Sequence, residues 1–206
     1  MCARSRAFGI FLGLLILYYR CVILVDEKNI GKGGDILTER EIRTEERLKR
    51  IWAHLALCRF LIILGKVSQY SVAVYFAVQL ILHMVMTEYF KALTVALSAA
   101  VGFVIVTLMR KLISAPRPYE ILHFCEVAPR KKTGESFPSR HAYSAVVIAV
   151  LSAALSPWCL IGIVPVAVSV CLTRVLLGIH FTRDVIVGAA IGILFGTAGV
   201  VISILL

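Results

Sequence analysis

The sequence predicts an all-α protein, a polytopic membrane helix bundle of about six transmembrane helices with an additional amphipathic interfacial helix. Of its 206 residues, 60% are apolar, compared with roughly 45–50% in an ordinary soluble domain. Charged residues make up only 17%, compared with about 25% in soluble proteins. A soluble fold of this length has too little interior to remove so much apolar surface from water.

The distribution of charge along the chain also predicts a membrane bundle. The 65 residues from Ala142 to Leu206 contain three formal charges, and Val67–Met109 contains only Glu88 and Lys91. A bilayer imposes such a partition, because a charge in hydrocarbon is expensive. The net charge of +10 does not indicate nucleic-acid binding, since aromatic residues are only 9% and the basic residues do not form one solvated face.

The first candidate span is Phe8–Val25, which is interrupted by Arg20. No small-residue cleavage site follows this apolar run, so we expect a retained anchor rather than a signal peptide. Arg4 and Arg6 precede it and favour a cytoplasmic amino terminus.

The next segment, residues 26–50, carries seven acidic and seven basic side chains and is therefore solvated. Beyond Thr38, apolar residues recur at helical spacing, which predicts an amphipathic helix on the membrane surface. These positions are Leu48, Ile51, Trp52, Leu55 and Ile62. The end of the segment, Ile51–Gly65, is short for a span, so we favour an interfacial helix over a seventh span there. Residues 1–66 are thus predicted to form an amino-terminal part and residues 67–206 the core.

Five further apolar segments are long enough for spanning helices of roughly 20 residues. They are Gln69–Met86, Ala92–Met109, His141–Ser156, Trp158–Gly178 and Asp184–Leu206. With a cytoplasmic amino terminus, this order brings the Arg110–Arg140 loop and the Gly178–Asp184 turn together on the outer face.

Three polar clusters lie at that predicted face: residues 110–118 (RKLISAPRP), 136–141 (SFPSRH) and 173–184 (TRVLLGIHFTRD). Basic residues at the end of a span commonly extend to lipid headgroups, which accounts for Arg110 and Lys111 taken alone. It does not account for Arg174, which lies inside an apolar span where a solitary arginine is costly.

The third cluster places His180 and Asp184 four residues apart, so that in a helical turn the carboxylate can reach one imidazole nitrogen. That hydrogen bond would fix the tautomer and leave the other nitrogen free as a base or nucleophile. Several guanidinium groups around two histidines suit a phosphate, which arginine binds in a bidentate way and stabilises during phosphoryl transfer. The clusters therefore predict a phosphoryl-transfer site.

In order and spacing, the clusters resemble the signature of the type 2 phosphatidic acid phosphatase superfamily, the lipid phosphate phosphatases. The family pattern is Lys-x6-Arg-Pro, Pro-Ser-Gly-His and Ser-Arg-x5-His-x3-Asp, and the resemblance covers about Gln69–Leu206. Arg110 stands where the family usually has Lys, Arg140 replaces Gly, and Thr173 replaces Ser. No group that the chemistry requires is lost, but Arg140 adds a cation beside the catalytic histidine.

The resemblance implies a role for each matched residue. His180 attacks phosphorus and forms a phosphohistidine, Asp184 orients His180, and His141 protonates the leaving oxygen and then activates water. The residues implied to hold the phosphoryl oxygens are Arg110, Arg117, Arg174 and Ser139, with Lys111 and Arg140 as additional contacts. The family works without a metal, so we expect neither a metal nor another cofactor.

The architecture predicts a lipid substrate, because the short loops leave no large soluble domain for a polar one. The expected partners are a membrane lipid phosphate and the bilayer, in a multi-pass protein of the cell membrane with its site on the extracytoplasmic face. Candidate substrates are a polyprenyl diphosphate, phosphatidylglycerophosphate, phosphatidate, diacylglycerol diphosphate and a lipid A phosphate. The cation of Arg140 favours a diphosphate such as undecaprenyl diphosphate.

Two other classes of protein remain as alternatives. An anion or phospholipid transporter could use the same cations, but it predicts charged or broken helices near the midplane, whereas these charges cluster at one end. A non-catalytic scaffold or lipid-binding module gives no reason for a His–Asp pair beside three arginines.

Overall fold

The computed structural model describes residues 38–122, 124 and 134–205, which form helices with no strand among them. The helices are α1 (Glu39–Trp52), α2 (Leu55–Val85), α3 (Tyr89–Ile113), the short α4 (Pro118–Ile121), α5 (Arg140–Leu151), α6 (Cys159–Leu176) and α7 (Thr182–Leu205). A 3₁₀ turn, Ser152–Ala154, follows α5. The predicted all-α membrane fold is confirmed. The predicted anchor Phe8–Val25 lies outside the described residues.

Four segments are long and apolar enough to cross a bilayer: Leu55–Val85, Tyr89–Ile121, Cys159–Leu176 and Thr182–Leu205. They contain most of each of four spans predicted from the sequence. Their outward-facing side chains include many large apolar groups, among them Phe90 and Leu205. Such an apolar surface is stable in contact with lipid tails, whereas its exposure to water would be unfavourable.

The start of the first described span differs from the prediction. α1 ends at Trp52, and residues 55–65 form the beginning of the 31-residue α2, which is about 46 Å long at 1.5 Å per residue. The prediction that Ile51–Gly65 ends a separate interfacial helix is therefore wrong from residue 55 onward, because these residues are continuous with α2. The reason is tertiary packing, since Cys58 and Leu61 are buried and Gly65 lies against Thr173 of α6. α2 also continues unbroken through residues 66 and 67, and the division proposed there stays a prediction.

The helix α1 begins with a capping box. The Thr38 backbone N–H donates to Glu41 Oε2 at 2.8 Å, and the Glu41 N–H donates to Thr38 Oγ1 at 3.3 Å, so that two otherwise unpaired donors at the helix start are satisfied. Ion pairs at i,i+4 spacing follow along the polar side; they are Glu39–Arg43, Glu45–Lys49 and Glu46–Arg50. The chain divides into two compact units, Met1–Thr44 and Glu45–Leu206, and the site lies in the second.

The short helix α5 is the centre of the bundle and packs against α2, α3, α6 and α7. Glycines on α7 allow the two helices to approach closely. A Cβ atom at Gly188 would collide with the Ser139 carbonyl oxygen, and a Cβ atom at Gly192 would lie 2.9 Å from the Tyr143 carbonyl oxygen. The predicted span His141–Ser156 corresponds to this helix, which is shorter than the other four. Protein rather than lipid surrounds α5, so its length need not match the bilayer.

The ends of four helices meet at one end of the bundle. The backbone N–H of Ser139, before α5, donates to the Asp184 carbonyl in α7 at 2.9 Å. The N–H of Ser136 donates to the carbonyl of Ala115, just after α3, at 2.8 Å. The loop after α3 and the turn between α6 and α7 thus come together, and the three polar clusters lie at this junction.

Candidate active site

The centre of the site is a buried trio of His180, Asp184 and Ser136. His180 is 2% exposed, Asp184 1% and Ser136 0%. The Ser136 hydroxyl donates to Asp184 Oδ2 at 2.5 Å, and its oxygen lies 3.2 Å from His180 Nδ1. His180 Nδ1 and Asp184 Oδ2 are 3.7 Å apart, which is an ion-pair distance rather than a direct hydrogen bond. The serine hydroxyl therefore lies between the two residues that the sequence pairs directly.

The Asp184 carboxylate has one further hydrogen-bond donor and one further ion-pair partner. The Phe181 backbone N–H donates to Oδ2 at 3.2 Å, and Arg183 Nε lies 3.7 Å from Oδ1. Asp184 is also in the first turn of α7, where the helix dipole favours a negative charge. These contacts hold the carboxylate in place beside His180.

Several neighbouring groups influence the ionisation of His180. Burial lowers the pKa of His180 below its ordinary value of 6.5, Asp184 opposes this change, and the charges of Arg117 and Arg110 lower the pKa further. His141 is close enough to His180 for the charges of the two rings to interact. The net direction is downward, so His180 is a neutral imidazole at neutral pH and its lone pair can attack an electrophile.

Backbone carbonyls of the loop before α5 hold Arg110 and Arg117. Arg110 Nη1 donates to the Pro138 carbonyl at 3.1 Å and lies 3.4 Å from that of Ser136. Arg117 Nε donates to the Gly134 carbonyl at 3.1 Å. Both arginines are buried, and Arg110 Nε has no hydrogen-bond partner among the described residues. The unpaired Nε–H of Arg110 is available to bind an anion, and binding would remove the free-energy cost of a buried donor without a partner.

Arg174, near the end of α6, is held by a side chain of α2. Its Nη2 donates to Gln69 Oε1 of α2 at 2.5 Å, while its Nε is buried without a hydrogen-bond partner among the described residues. Gln69 is exposed and lies about 21 Å along α2 at 1.5 Å per residue. A polar amide within a span is expensive unless it faces a polar partner or pathway.

The start of α5 provides Ser139 and His141. Ser139 is the N-cap of α5, and its Oγ accepts a 3.4 Å hydrogen bond from the Ala142 N–H. His141 lines a cavity of about 360 Å³. The rest of its lining is largely apolar and consists of Val72, Ala73, Phe103, Ala145, Ile148 and Val170, with Gln69, Arg140 and Ser144 as polar residues.

The two additional contacts predicted from the sequence lie in different surroundings. Arg140 lines the cavity, and its guanidinium carbon is 5.9 Å from the Phe103 ring centroid, a cation–π distance. Lys111 is exposed, one position after the buried Arg110 on α3, and successive helical residues point about 100° apart. Lys111 has no hydrogen bond or ion pair within the described ranges, so the structure does not bring it to the cluster.

Sequence reasoning assigned no role to two residues of the site. Ser136 is the first residue of the second cluster, and its hydroxyl next to the matched motif could have indicated a role in the site. Gln69 was only the first residue of a predicted span, although an amide at the start of an apolar run can mark a polar contact. Residues 38–122, 124 and 134–205 contain no group of three or more His, Cys, Asp or Glu side chains placed to hold a metal ion.

Comparison with known proteins identifies the family and the fold of this chain. The profile of the PAP2 superfamily matches residues 91–204, which is more than half of the chain, so the protein belongs to that superfamily. The crystal structure of Aquifex aeolicus LpxE is similar with a TM-score of 0.58 and 26% identity, over 71% of this chain and 86% of LpxE. A transmembrane PAP2-type phosphatidylglycerolphosphate phosphatase from Bacillus subtilis gives a TM-score of 0.60 over 92% of both chains, at 19% identity. No curated protein sequence matches the chain significantly.

Proposed function

We propose that this protein hydrolyses the phosphate ester or anhydride of a membrane lipid through a phosphohistidine on His180. The observation that carries the proposal is the buried His180 beside Asp184, flanked by Arg110 and Arg117 at one end of an apolar bundle. Membership in the PAP2 superfamily supports the same chemistry. The apolar surface supports a substrate that is presented from the bilayer.

The reaction proceeds in two balanced steps. In the first, the lone pair of His180 Nε2 forms a bond to phosphorus, the bond from phosphorus to the leaving oxygen breaks, and His141 gives its proton to that oxygen. In the second, His141 takes a proton from water as the water oxygen attacks phosphorus and the P–N bond breaks. Inorganic phosphate leaves, and both histidines return to their starting states.

The phosphoryl oxygens are held by cationic and hydroxyl donors around His180. The residues assigned to this role are Arg110, Arg117, Arg174 and Ser139. The three guanidinium groups and the Ser139 hydroxyl are in place before the reaction begins, so they stabilise the charge that grows on the equatorial oxygens without reorganisation. Exposed Lys111 is not needed in this arrangement.

Phosphate release from purified protein across a panel of lipid phosphates tests this function. Wild-type protein should release phosphate with at least one lipid, and His180→Ala should release none. Vanadate should inhibit, because it mimics five-coordinate phosphorus, and a chelator should have no effect. Chelator-sensitive turnover would contradict the metal-free mechanism, and phospholipid or phosphate flux in proteoliposomes without phosphate release would identify a transporter.

The substrate we favour is a lipid diphosphate, with undecaprenyl diphosphate as the leading candidate. His141 protonates the leaving oxygen, so the leaving group occupies the cavity that His141 lines. Arg140 and Gln69 line the same cavity, where they can bind a second phosphate while the apolar lining accommodates a hydrocarbon tail. A phosphatidylglycerophosphate, phosphatidate or lipid A monoester leaves a less strongly anionic group next to Arg140.

Arg140→Gly and Arg140→Lys, assayed on a diphosphate and a monophosphate with the same tail, test this preference. The glycine variant should lose about 10–100-fold more kcat/KM on the diphosphate than on the monophosphate, which corresponds to one hydrogen bond to a charged group. The lysine variant keeps the charge and should recover part of that difference. Equal losses on both substrates would rule out a contact with a second phosphate.

The site is proposed to lie on the extracytoplasmic face of the cell membrane. Thr182, at the start of α7, and Thr87, between α2 and α3, are both exposed and lie at opposite ends of the bundle. Thr182→Cys in intact cells should react with a membrane-impermeant thiol reagent above the wild-type background, whereas Thr87→Cys should not. The reverse labelling would place the site on the cytoplasmic face.

A further inference from the structure

Ser136 is the residue that joins the parts of the site, although no role follows for it from the sequence. Its side chain is fully buried, 2.5 Å from Asp184 Oδ2 and 3.2 Å from His180 Nδ1. These two distances are both shorter than the 3.7 Å between His180 and Asp184 themselves. The hydroxyl therefore occupies the position where a direct hydrogen bond between imidazole and carboxylate would otherwise lie.

The chemistry of the three groups fixes the direction of the hydrogen bonds. An ionised carboxylate can only accept, so the single hydroxyl proton of Ser136 points to Asp184. The Ser136 oxygen then has lone pairs free to accept from an N–H at His180 Nδ1. With the proton on Nδ1, a neutral imidazole carries its lone pair on Nε2, and this is the nitrogen that must attack phosphorus.

The backbone of Ser136 is fixed on both sides. Its N–H donates to the Ala115 carbonyl at 2.8 Å, and its carbonyl lies 3.4 Å from Arg110 Nη1. The Cα atom of Ser136 therefore cannot move away from His180 without disturbing the loop that holds the phosphate-binding arginine. Ser136 connects the placement of the nucleophile with that of Arg110.

We propose that Ser136 is a positioning residue that links Asp184 to His180 and keeps the imidazole in its Nδ1–H tautomer. The proposal rests on the proposed function for its catalytic consequence, but not for the tautomer itself. When Nε2 bonds to phosphorus the ring becomes cationic, and the chain from Nδ1 through Ser136 to Asp184 stabilises that charge. Ser136 thus acts through His180 and does not touch the substrate.

A kinetic comparison tests the catalytic part. Ser136→Ala should slow phosphoenzyme formation about 10–100-fold, the loss expected when one hydrogen bond to a group that becomes charged is removed, while KM and vanadate affinity change less than about threefold. Ser152→Ala is the matched control, because Ser152 is equally buried but its hydroxyl donates to Ala149 at the other end of α5. The control should keep wild-type kinetics, and unchanged kinetics in Ser136→Ala would overturn the proposal.

A double-mutant cycle separates positioning from a general effect on folding. If Ser136 and Asp184 act on His180 as one unit, Ser136→Ala/Asp184→Asn should be no slower than Asp184→Asn alone, within about threefold. Both variants should also shift the acid limb of the pH–rate profile in the same direction, to lower pH, because each removes a group that stabilises the protonated ring. Fully multiplicative losses would overturn the link between the two residues.

Nitrogen NMR of histidine-labelled protein in detergent tests the tautomer without any substrate. At pH 8, His180, assigned with a His180→Gln variant, should show a protonated Nδ1 and an unprotonated Nε2, and Ser136→Ala should give a mixture of tautomers. An unchanged tautomer in Ser136→Ala would overturn the inference even if the protein is an active phosphatase. A Ser136-dependent tautomer in a protein that hydrolyses no lipid phosphate would instead reject only the proposed function.

Discussion

At the residue scale, the ionisation of His180 determines the pH range in which the site can act. Burial and the charges of Arg117 and Arg110 lower the pKa of His180, and Asp184 opposes them. A lowered pKa means that the imidazole stays neutral, and therefore nucleophilic, to a lower pH than an ordinary histidine. In the proposed mechanism His141 must be protonated at the same time, so the two histidines limit activity from opposite sides.

We therefore expect a bell-shaped pH–rate profile with its acid limb below pH 6.5. Asp184→Asn removes the group that raises the pKa of His180, so the acid limb should move to still lower pH while the maximal rate falls on the order of 10²–10⁴-fold. Steady-state phosphate release between pH 4 and 10 measures both effects. A flat profile between pH 5 and 9, with chemistry shown to be rate-limiting, would contradict the assigned pair.

Gln69 provides a second test at this scale, because it fixes Arg174 through a 2.5 Å hydrogen bond. Gln69→Leu should lower kcat/KM about 10-fold, since a hydrogen bond to a charged group is worth about 1.5–3 kcal/mol, with little loss of thermal stability. Gln79→Leu is the matched control on the same helix, since Gln79 Nε2 donates to the Leu151 carbonyl at the end of α5. It should lower the Tm and leave kcat/KM within about twofold, and the opposite pattern would reject the role of Gln69.

At the scale of elements, the contact between α5 and α7 sets the geometry of the site. Gly188 lies directly against the Ser139 carbonyl, and Ser139 is both the N-cap of α5 and an assigned phosphate ligand. An alanine there meets backbone, which cannot rotate away, so the two helices must separate. Positions of side chains in the site thus depend on a residue that carries no side chain.

Gly188→Ala should destabilise the protein by about 1–3 kcal/mol, as overpacking does in well-packed cores, and should reduce phosphate release at temperatures where the fold is intact. Gly162→Ala on α6 is the control, because no atom lies within 4 Å of its added Cβ. It should be neutral or stabilise α6 by about 0.5–1 kcal/mol. Thermal unfolding in detergent measures both, and equal Tm values for the two variants would contradict the packing argument.

Hydropathy alone predicts the spans well but not where they begin. It located α3, α6 and α7 because each is an apolar run between polar loops. It misplaced the start of α2 because Arg59 lies within Leu55–Gly65 and His54 directly precedes it. The burial of Cys58 and Leu61 and the contact of Gly65 with Thr173 on α6 show that this stretch belongs to the bundle. Contacts between distant segments decide such boundaries, and one sequence without its fold does not contain them.

At the scale of the whole molecule, the motifs predicted which loops meet, but not how the side chains connect. The spacing of His180 and Asp184 placed them on one helical turn, and the structure adds the Ser136 hydroxyl between them. Likewise, the pattern named Arg174 but not Gln69, which is 105 residues away in the chain. Partners of this kind arise from packing of α2 against α6 and have no local signal.

The cavity beside His141 predicts that the bundle selects for a hydrocarbon tail. Farnesyl diphosphate should exceed isopentenyl diphosphate in kcat/KM by at least about 10-fold, since each buried methylene contributes about 0.8 kcal/mol. Ala73→Phe fills the cavity and should reduce that ratio, whereas Val74→Phe, exposed on the neighbouring face of α2, should preserve it. Equal kcat/KM for the two diphosphates in the wild type would show that the cavity does not hold the tail.

The helix α2 lies before the segment shared across the PAP2 superfamily, which begins at residue 91, yet it provides Gln69 and part of the cavity wall. In the proposed function, part of the wall that holds the lipid tail therefore lies outside the segment that carries the two histidines. Grafting residues 55–85 from a relative with another tail preference should shift the tail preference of this protein in part, while the diphosphate preference assigned to Arg140 stays unchanged.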